Sequence, residues 1–489
     1  MDQPAQRTDR FGERWMNIVW RKPPADIAER TRRRVMVHLI PFLFFLYILA
    51  YLDRVNVSVA QLQLTQSVEK GGMGFTDEAV GIGFGLFFWG YWVLEIPSTV
   101  SVVKWGARYV FVRILVLWGL CATAVGFVGM PGMNHVFGWL PMLPTEWPLV
   151  GGAFGWVNSL RDNPLHQLYF LRVMLGFFEG GFFPSVIVYL SLWFRPQDRA
   201  KAIACFMIAI PLSSALGYPV SGMLLEAHWF GLPGWRWIFI TEGILPVLAG
   251  IATWFLLANR PADARWLPKD EGEWLTSELE KERATLRAHS HWGWHKHFGM
   301  VLILTMVYFG LNVVAYGLNS FMPAIIKAQS GFGDRWSSIL AAMPYVMSFL
   351  GMLVVGWHSD KTGERPWHVA IPLFLLGCGV LVVSLVFDWK LLPVLVLIFW
   401  VGGCLYTYLP PFWPIPTMFL GATAAAGAIG FINMIGNLGG SVGPYLIGKA
   451  KTQDANFAGG LLRLAPWPIM SAAIVLIVAY VKRRKPTKE

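Results

Sequence analysis

Charged residues are scarce in this sequence. Asp, Glu, Lys and Arg make up 14% of its 489 residues, against about 25% in a soluble globular chain. That is too little to clothe a water-soluble surface, which excludes the roughly three soluble domains the length alone would suggest. Cysteine is scarcer still. Cys121, Cys205, Cys378 and Cys404 lie singly inside apolar runs, which excludes a disulfide framework or a zinc spacing and leaves them as small buried apolar residues. The sequence also lacks a Walker-type phosphate loop, a nucleophile elbow and a zinc-spaced triad. The expectation is therefore no catalytic set, no metal and no cofactor: not an enzyme. Nor is there a soluble output domain of the kind a sensor needs, since the longest polar interior stretch is 259–297. No short apolar segment with a small-residue cleavage site precedes the first long apolar run, so that run itself is expected to direct insertion.

What the chain does have is apolar length. Hydrophobic residues make up 55% of it, with 50 Gly and 31 Pro spread without a period, a composition that suits membrane helices that bend and pack closely. Runs long enough to span occur at about 35–62, 78–103, 107–129, 166–194, 199–225 and 235–258, and again at 298–326, 336–358, 366–387, 391–416, 423–448 and 466–482. Twelve spans of about 20 residues need roughly 240 residues. The expected fold is all-α and integral to the membrane, with twelve transmembrane helices in two six-helix halves. Its parts are a tail at 1–34, a first half at 35–258, a linker at 259–297, a second half at 298–482 and a short tail at 483–489.

Positive charge orients these spans. With the N-terminus inside, the inner segments carry 29 Lys and Arg and the outer segments nine, with Arg54 and Arg172 left inside spans. The excess places both termini and the linker in the cytoplasm, and it accounts for the net charge of +11 without a nucleic-acid partner. Within the linker, Glu273 to Arg287 reads as a mixed-charge helix along the inner face, and His289, His291, His295 and His297 that follow read as solvated. Residues 130–165 are apolar but interrupted by Pro131, Pro141, Pro144, Pro148 and Pro164, with Trp139, Trp147 and Trp156 among them. They read as an outer-face insertion anchored at the interface rather than as further crossings.

Ionisable residues deep in apolar spans are expensive and mark functional sites. The first span contains Tyr51-Leu-Asp53-Arg54-Val-Asn56-Val-Ser58. The second contains Tyr91 and Glu95, the fourth runs from Arg172 through Gly176 and Glu179 to Pro184, and the sixth carries Glu242. Arg172 and Glu179 are seven apart, about two helical turns, so they share a face roughly 10 Å apart along the axis. Neighbours Asp53 and Arg54 point about 100° apart and cannot face one partner. Glu95 and Glu242, nearer span ends, read as structural or gating groups. The second half offers hydrogen bonds and aromatic faces instead: Asn312, Tyr316, Asn319, Ser320, Tyr406, Tyr408, Trp413, Asn433 and Asn437. A charged half facing a neutral polar half suits a small polar anion held between them; a channel would present repeated rings.

At these residues the chain resembles the major facilitator superfamily, and within it the anion:cation symporter family and its bacterial tartrate- and phthalate-type carboxylate transporters. The resemblance rests on Tyr51 to Val57, Arg172 to Pro184, Gly356-Trp-His-Ser-Asp360-Lys-Thr-Gly-Glu-Arg365, and Gly427 to Pro444, and covers about 30–450. Two features depart from the family pattern. The 130–165 insertion is longer, and Val103-Lys104-Trp-Gly-Ala-Arg108 lacks the acidic residue of the general motif. The resemblance implies proton-driven import of an organic anion (a carboxylate, hydroxy acid or sugar acid) by alternating access, in the inner membrane, by a functional monomer. It places proton coupling at Asp53 and Glu179 and substrate binding at Arg54, which takes the carboxylate, and at Tyr91, Arg172 and Asn433. Asn312 and Tyr316 are further substrate candidates from the second half, and Asp360, Arg365 and Arg108 are candidates for the inner gate. An anion exchanger or a sodium-coupled carrier on the same fold is the alternative.

Overall fold

A computed structural model describes residues 26–140, 142–143, 145, 151–288, 298–416 and 422–484. His289, His291, His295 and His297 of the linker, and Pro141, Pro144, Trp147 and Pro148 of the insertion, lie outside the described residues. Regular structure is helical throughout the described residues, the form in which a lipid-embedded backbone satisfies its own polar groups.

Among the described residues ten helices, not twelve, are by themselves long and apolar enough to cross a membrane. The remaining expected spans, the fifth and the eleventh, are each broken into two shorter helices: Pro196–Met207 and Ala209–Leu224, then Ala422–Gly436 and Gly439–Asp454. Proline explains the first break. Pro211 has no N–H for the Met207 carbonyl and its ring crowds that carbonyl, so the helix parts at Ile208. The eleventh parts where the chain tightens, with Gly440 N–H donating to the Asn437 carbonyl at 2.9 Å and Ser441 N–H to the Leu438 carbonyl at 3.0 Å. The fourth span, Pro164–Ser191, is kinked at Gly180 and Gly181, where Gly181 takes φ 84°, a conformation glycine adopts without steric cost. Pro184 cannot donate to the Gly180 carbonyl, and the Ser98 hydroxyl from the second span donates to it instead, at 2.8 Å.

The two halves repeat one packing scheme. In the first half, span one packs on five, two on four, and three on six; in the second, seven packs on eleven, eight on ten, and nine on twelve. Glycines make these contacts close. A Cβ on Gly176 would lie 1.9 Å from the Phe87 carbonyl oxygen, and one on Gly443 would lie 1.9 Å from the Val313 carbonyl oxygen.

The first helix, Ile27–Leu64, starts before its apolar run. Its early arginines are held by the linker helix Lys269–Ala288, with Arg30 2.6 Å from Asp270 and 2.8 Å from Glu271, and Arg34 3.0 Å from Glu271. The linker helix also buries Leu275 and Leu279 and ties to the first half through Arg199 and Glu282 at 3.0 Å. Linker and chain start therefore share one end of the bundle. At the other, far end, the described part of the insertion forms short helices, Pro131–Gly138 and Gly151–Asn158. At about 1.5 Å per residue, eight residues cannot cross a bilayer. Gln167 at the start of the fourth span anchors it, bonding Asn134 at 2.8 Å, the Leu160 carbonyl at 2.9 Å and the Gly129 N–H at 2.9 Å.

The halves meet most closely toward that far end. Span two lies on span eleven there, where Cβ atoms on Gly81 and Gly85 would meet the Pro444 and Ser441 backbone at 2.6 and 2.9 Å. Glu78 N–H donates to Thr452 at 3.1 Å, Arg335 pairs with Glu226 at 3.0 Å, and the Ser58 and Tyr218 hydroxyls both donate to the Asn319 carbonyl at 2.7 Å.

Candidate functional site

Residues 51–58 of the first span run through the middle of the bundle, and Asp53 and Arg54 are 4% and 6% exposed. Their helical offset sends them to different partners. Arg54 Nη2 lies 2.8 Å from Glu179 Oε1, and its Nη1 donates to the Ala50 carbonyl at 2.8 Å. Asp53 turns the other way: Arg172 Nη1 lies 3.5 Å from its Oδ2, and Asn56 donates to its Oδ1 at 2.9 Å. Arg172 and Glu179 thus share a helix face without pairing with each other. Each pairs with a neighbour on span one, which gives two crossed, net-neutral ion pairs tying span one to span four.

Only one of these pairs faces open space. A central cavity of about 590 Å³, including its mouth, is lined from the first half by Arg54, Glu179, Tyr91, Tyr47 and Tyr51. From the second half it is lined by Asn312, Tyr316, Asn433, Asn437, Tyr308, Tyr406, Tyr408 and Trp413. Aromatic rings frame the Arg54 guanidinium, with those of Tyr51, Phe87 and Tyr91 centred 4.6, 5.1 and 6.0 Å away; this arrangement holds a cation by its face and leaves its edge for a ligand. Asp53 and Arg172 stand behind the wall. Arg172, 1% exposed, lies 5.2 Å from the Phe87 ring and donates to the Gly83 carbonyl at 3.4 Å.

The second half contributes no charge to this cavity. Asn312 Nδ2 donates to the Gly436 carbonyl at 3.1 Å, the Tyr316 ring packs 4.5 Å from that of Phe88, and Asn433 Nδ2 donates to Glu95 of the first half. Tyr406 adopts φ 62°, a left-handed conformation that is strained for a bulky residue, and so turns into the cavity. Pro410, four residues on, cannot donate to its carbonyl.

The candidate gate residues stay within their own halves. Asp360 and Arg365 pair at 2.7 Å at the turn between spans eight and nine, where Arg365 also donates to Ser359 at 3.0 Å. Arg108 donates through Nε to the Leu257 carbonyl at 2.6 Å and through its backbone N–H to Asn259 at 3.0 Å, clamping span three to the end of span six. Tyr47 and Tyr308 were not singled out from sequence. Helical spacing carries the signal, since Tyr47, Tyr51 and Arg54 fall at i, i+4 and i+7, as Tyr308, Asn312 and Tyr316 fall at i, i+4 and i+8.

Two repeated six-span halves around a central, one-sidedly charged cavity define a multi-pass membrane transporter. The chain belongs to the Major Facilitator Superfamily, whose family model matches residues 43–444. It is 35% identical over 93% of its length to a protein of Agrobacterium vitis assigned as a tartrate transporter, covering 96% of that protein. It is 32% identical over 94% of its length to a quinolone resistance transporter of Acinetobacter baumannii, covering 98% of it. Among solved structures, a D-xylose-proton symporter matches its fold with a TM-score of 0.64 at 13% identity, over 90% of this chain and 96% of that one.

Proposed function

We propose that this transporter imports a small organic anion bearing a carboxylate, coupled to protons, by alternating access across the cytoplasmic membrane, as a functional monomer with both termini in the cytoplasm. One observation carries the reading: the cavity's only ion pair among the described residues joins Arg54 to Glu179, opposite a wall of amides and phenols. A guanidinium presents a planar fork that matches a carboxylate. An incoming anion competes with Glu179 for that fork while Tyr91, Tyr316, Asn312 and Asn433 take its other polar atoms. A carboxylate left without its cation in a low-dielectric site is neutralised by a proton rather than kept charged. Anion loading and proton loading thereby become one linked equilibrium. Asp53, the second proton-coupling candidate, pairs with Arg172 one layer back and ties span one to span four. The Asp360–Arg365 and Arg108 ties keep each half rigid where the inner gate opens and closes. The tartrate-transporter relative supports the choice of cargo.

Counterflow in proteoliposomes tests this. Liposomes loaded with unlabelled tartrate, another hydroxy acid, an aromatic acid or a sugar acid should accumulate trace label of at least one of these through the wild type and not through Arg54→Ala. Exchange that persists in Arg54→Ala, or the absence of exchange with every acid, would overturn the cargo assignment. A requirement for sodium in place of protons would select the sodium-coupled carrier.

A further inference from the structure

Glu95 has no part in the exchange just described. It lies one turn past Tyr91 on the second span, on the side of the cavity nearer the linker, and is 2% exposed. Its Oε1 accepts a hydrogen bond from Asn433 Nδ2 on the eleventh span, so the bond runs from one half to the other. Its Oε2 is buried without a partner. Among the described residues no cation pairs with it: Arg54 is held by Glu179 and Arg172 by Asp53. Arg113 of the third span donates to Ser98, about one turn further on, at 3.2 Å. The other titratable groups near Glu95 are phenols, Tyr91 on its own helix and Tyr308 from the seventh span. Other side-chain bonds between the halves, through Ser58, Glu78, Tyr218 and Glu226, lie toward the far end. The Glu95–Asn433 bond joins the halves on the linker side of Arg54, and the Tyr51 and Tyr316 side chains also hydrogen-bond between the halves, at the cavity.

We infer that Glu95 is a positioning residue that acts through Asn433 as a latch on the linker-side mouth of the cavity. While the latch is closed, the Asn433 amide is held across the mouth and its donor is spent on a protein carboxyl. Opening that mouth parts span two from span eleven and must break the bond. The freed amide can then donate to a carboxylate oxygen of the solute. That last step rests on the proposed function; the latch itself does not. A buried polar bond suits such a switch, because its partners cannot find water until the halves part.

The test uses Met207→Cys on the cavity wall as a reporter, in a chain whose four native cysteines are replaced by serine. Alkylation by a maleimide should run threefold or more faster when Glu95→Ala or Asn433→Ala is added, because the mouth is then open for more of the time. Glu95→Gln keeps an acceptor oxygen for Asn433 and should label within twofold of the reporter alone. Thermal unfolding and gel filtration establish that each variant is folded. In transport, Glu95→Ala should lower turnover several-fold without raising KM. A folded Glu95→Ala that labels no faster, or a Glu95→Gln that labels as fast as Glu95→Ala, would overturn the latch. A tenfold rise in KM at unchanged turnover would make Glu95 a solute contact instead. If the wild type exchanges no organic anion, the cargo assignment falls while the alkylation comparison still decides the latch.

Discussion

Arg54 is the residue on which the site turns, and its chemistry sets a sharp expectation. Arg54→Lys keeps the charge but loses the planar fork. Solute affinity in a competition assay should fall by about 1.5–3 kcal/mol, the range for a hydrogen bond to a charged group. An unchanged affinity would mean that Arg54 serves only Glu179. The sequence made this residue and its three charged neighbours conspicuous, because each interrupts an apolar run. Their pairing was less visible. Helical geometry showed that Arg172 and Glu179 share a face and that Asp53 and Arg54 diverge. It could not show that both fourth-span residues reach across to the first span, or that Asp53 and Arg172 end up behind the cavity wall, since that depends on how two helices are rotated against each other. The Glu95–Asn433 bond was hidden for the same reason: its partners are 338 residues apart.

Elements are held together here by backbone approach at glycine, and two substitutions separate its uses. A Cβ on Gly90 would lie 2.0 Å from the Val173 carbonyl oxygen and one on Gly176 1.9 Å from that of Phe87, so spans two and four touch within one half. Gly176→Val should cost the fold itself, seen as lost yield and a lowered thermal midpoint. Gly85 instead meets the Ser441 backbone of the other half. Gly85→Val should leave the protein folded and monodisperse but hinder closure of the far end, so counterflow drops sharply. Counterflow at the wild-type rate in Gly85→Val would mean that this face does not need to close. The abundance of glycine and proline is legible as a sign of close-packed, bent helices, whereas the place of the kink at Gly180 and Gly181 shows only in the fold. The break at Ile208 follows from Pro211, yet the apolar run 199–225 reads as one continuous span, because hydropathy does not register a missing hydrogen bond.

At the scale of the whole molecule, six spans, a charged linker and six more spans were readable from hydropathy alone, since membrane helices must be long and apolar. The linker helix was also expected, whereas its ion pairs to Arg30 and Arg34, which fix it under the first half, were not. Topology in the membrane carries its own expectation. Reporter fusions at 145 and 275 should read outside and inside, respectively; an inside signal at 145 would contradict the orientation drawn from 29 inner and nine outer positive charges. Asp360→Asn removes the partner of Arg365 at the turn between spans eight and nine. It should slow transport and shift the balance of inward- and outward-open forms in alkylation assays while leaving solute binding within about twofold, because the pair lies outside the cavity. The central claim is that solute exchange and proton uptake meet at the Arg54–Glu179 pair. It is tested most directly by anion accumulation into proteoliposomes with and without an inward proton gradient, comparing wild type with Glu179→Gln and running counterflow at equal pH beside it. The wild type should concentrate the anion only with the gradient, and Glu179→Gln should exchange label at equal pH yet fail to concentrate it. Gradient-driven accumulation that survives in Glu179→Gln would contradict the account.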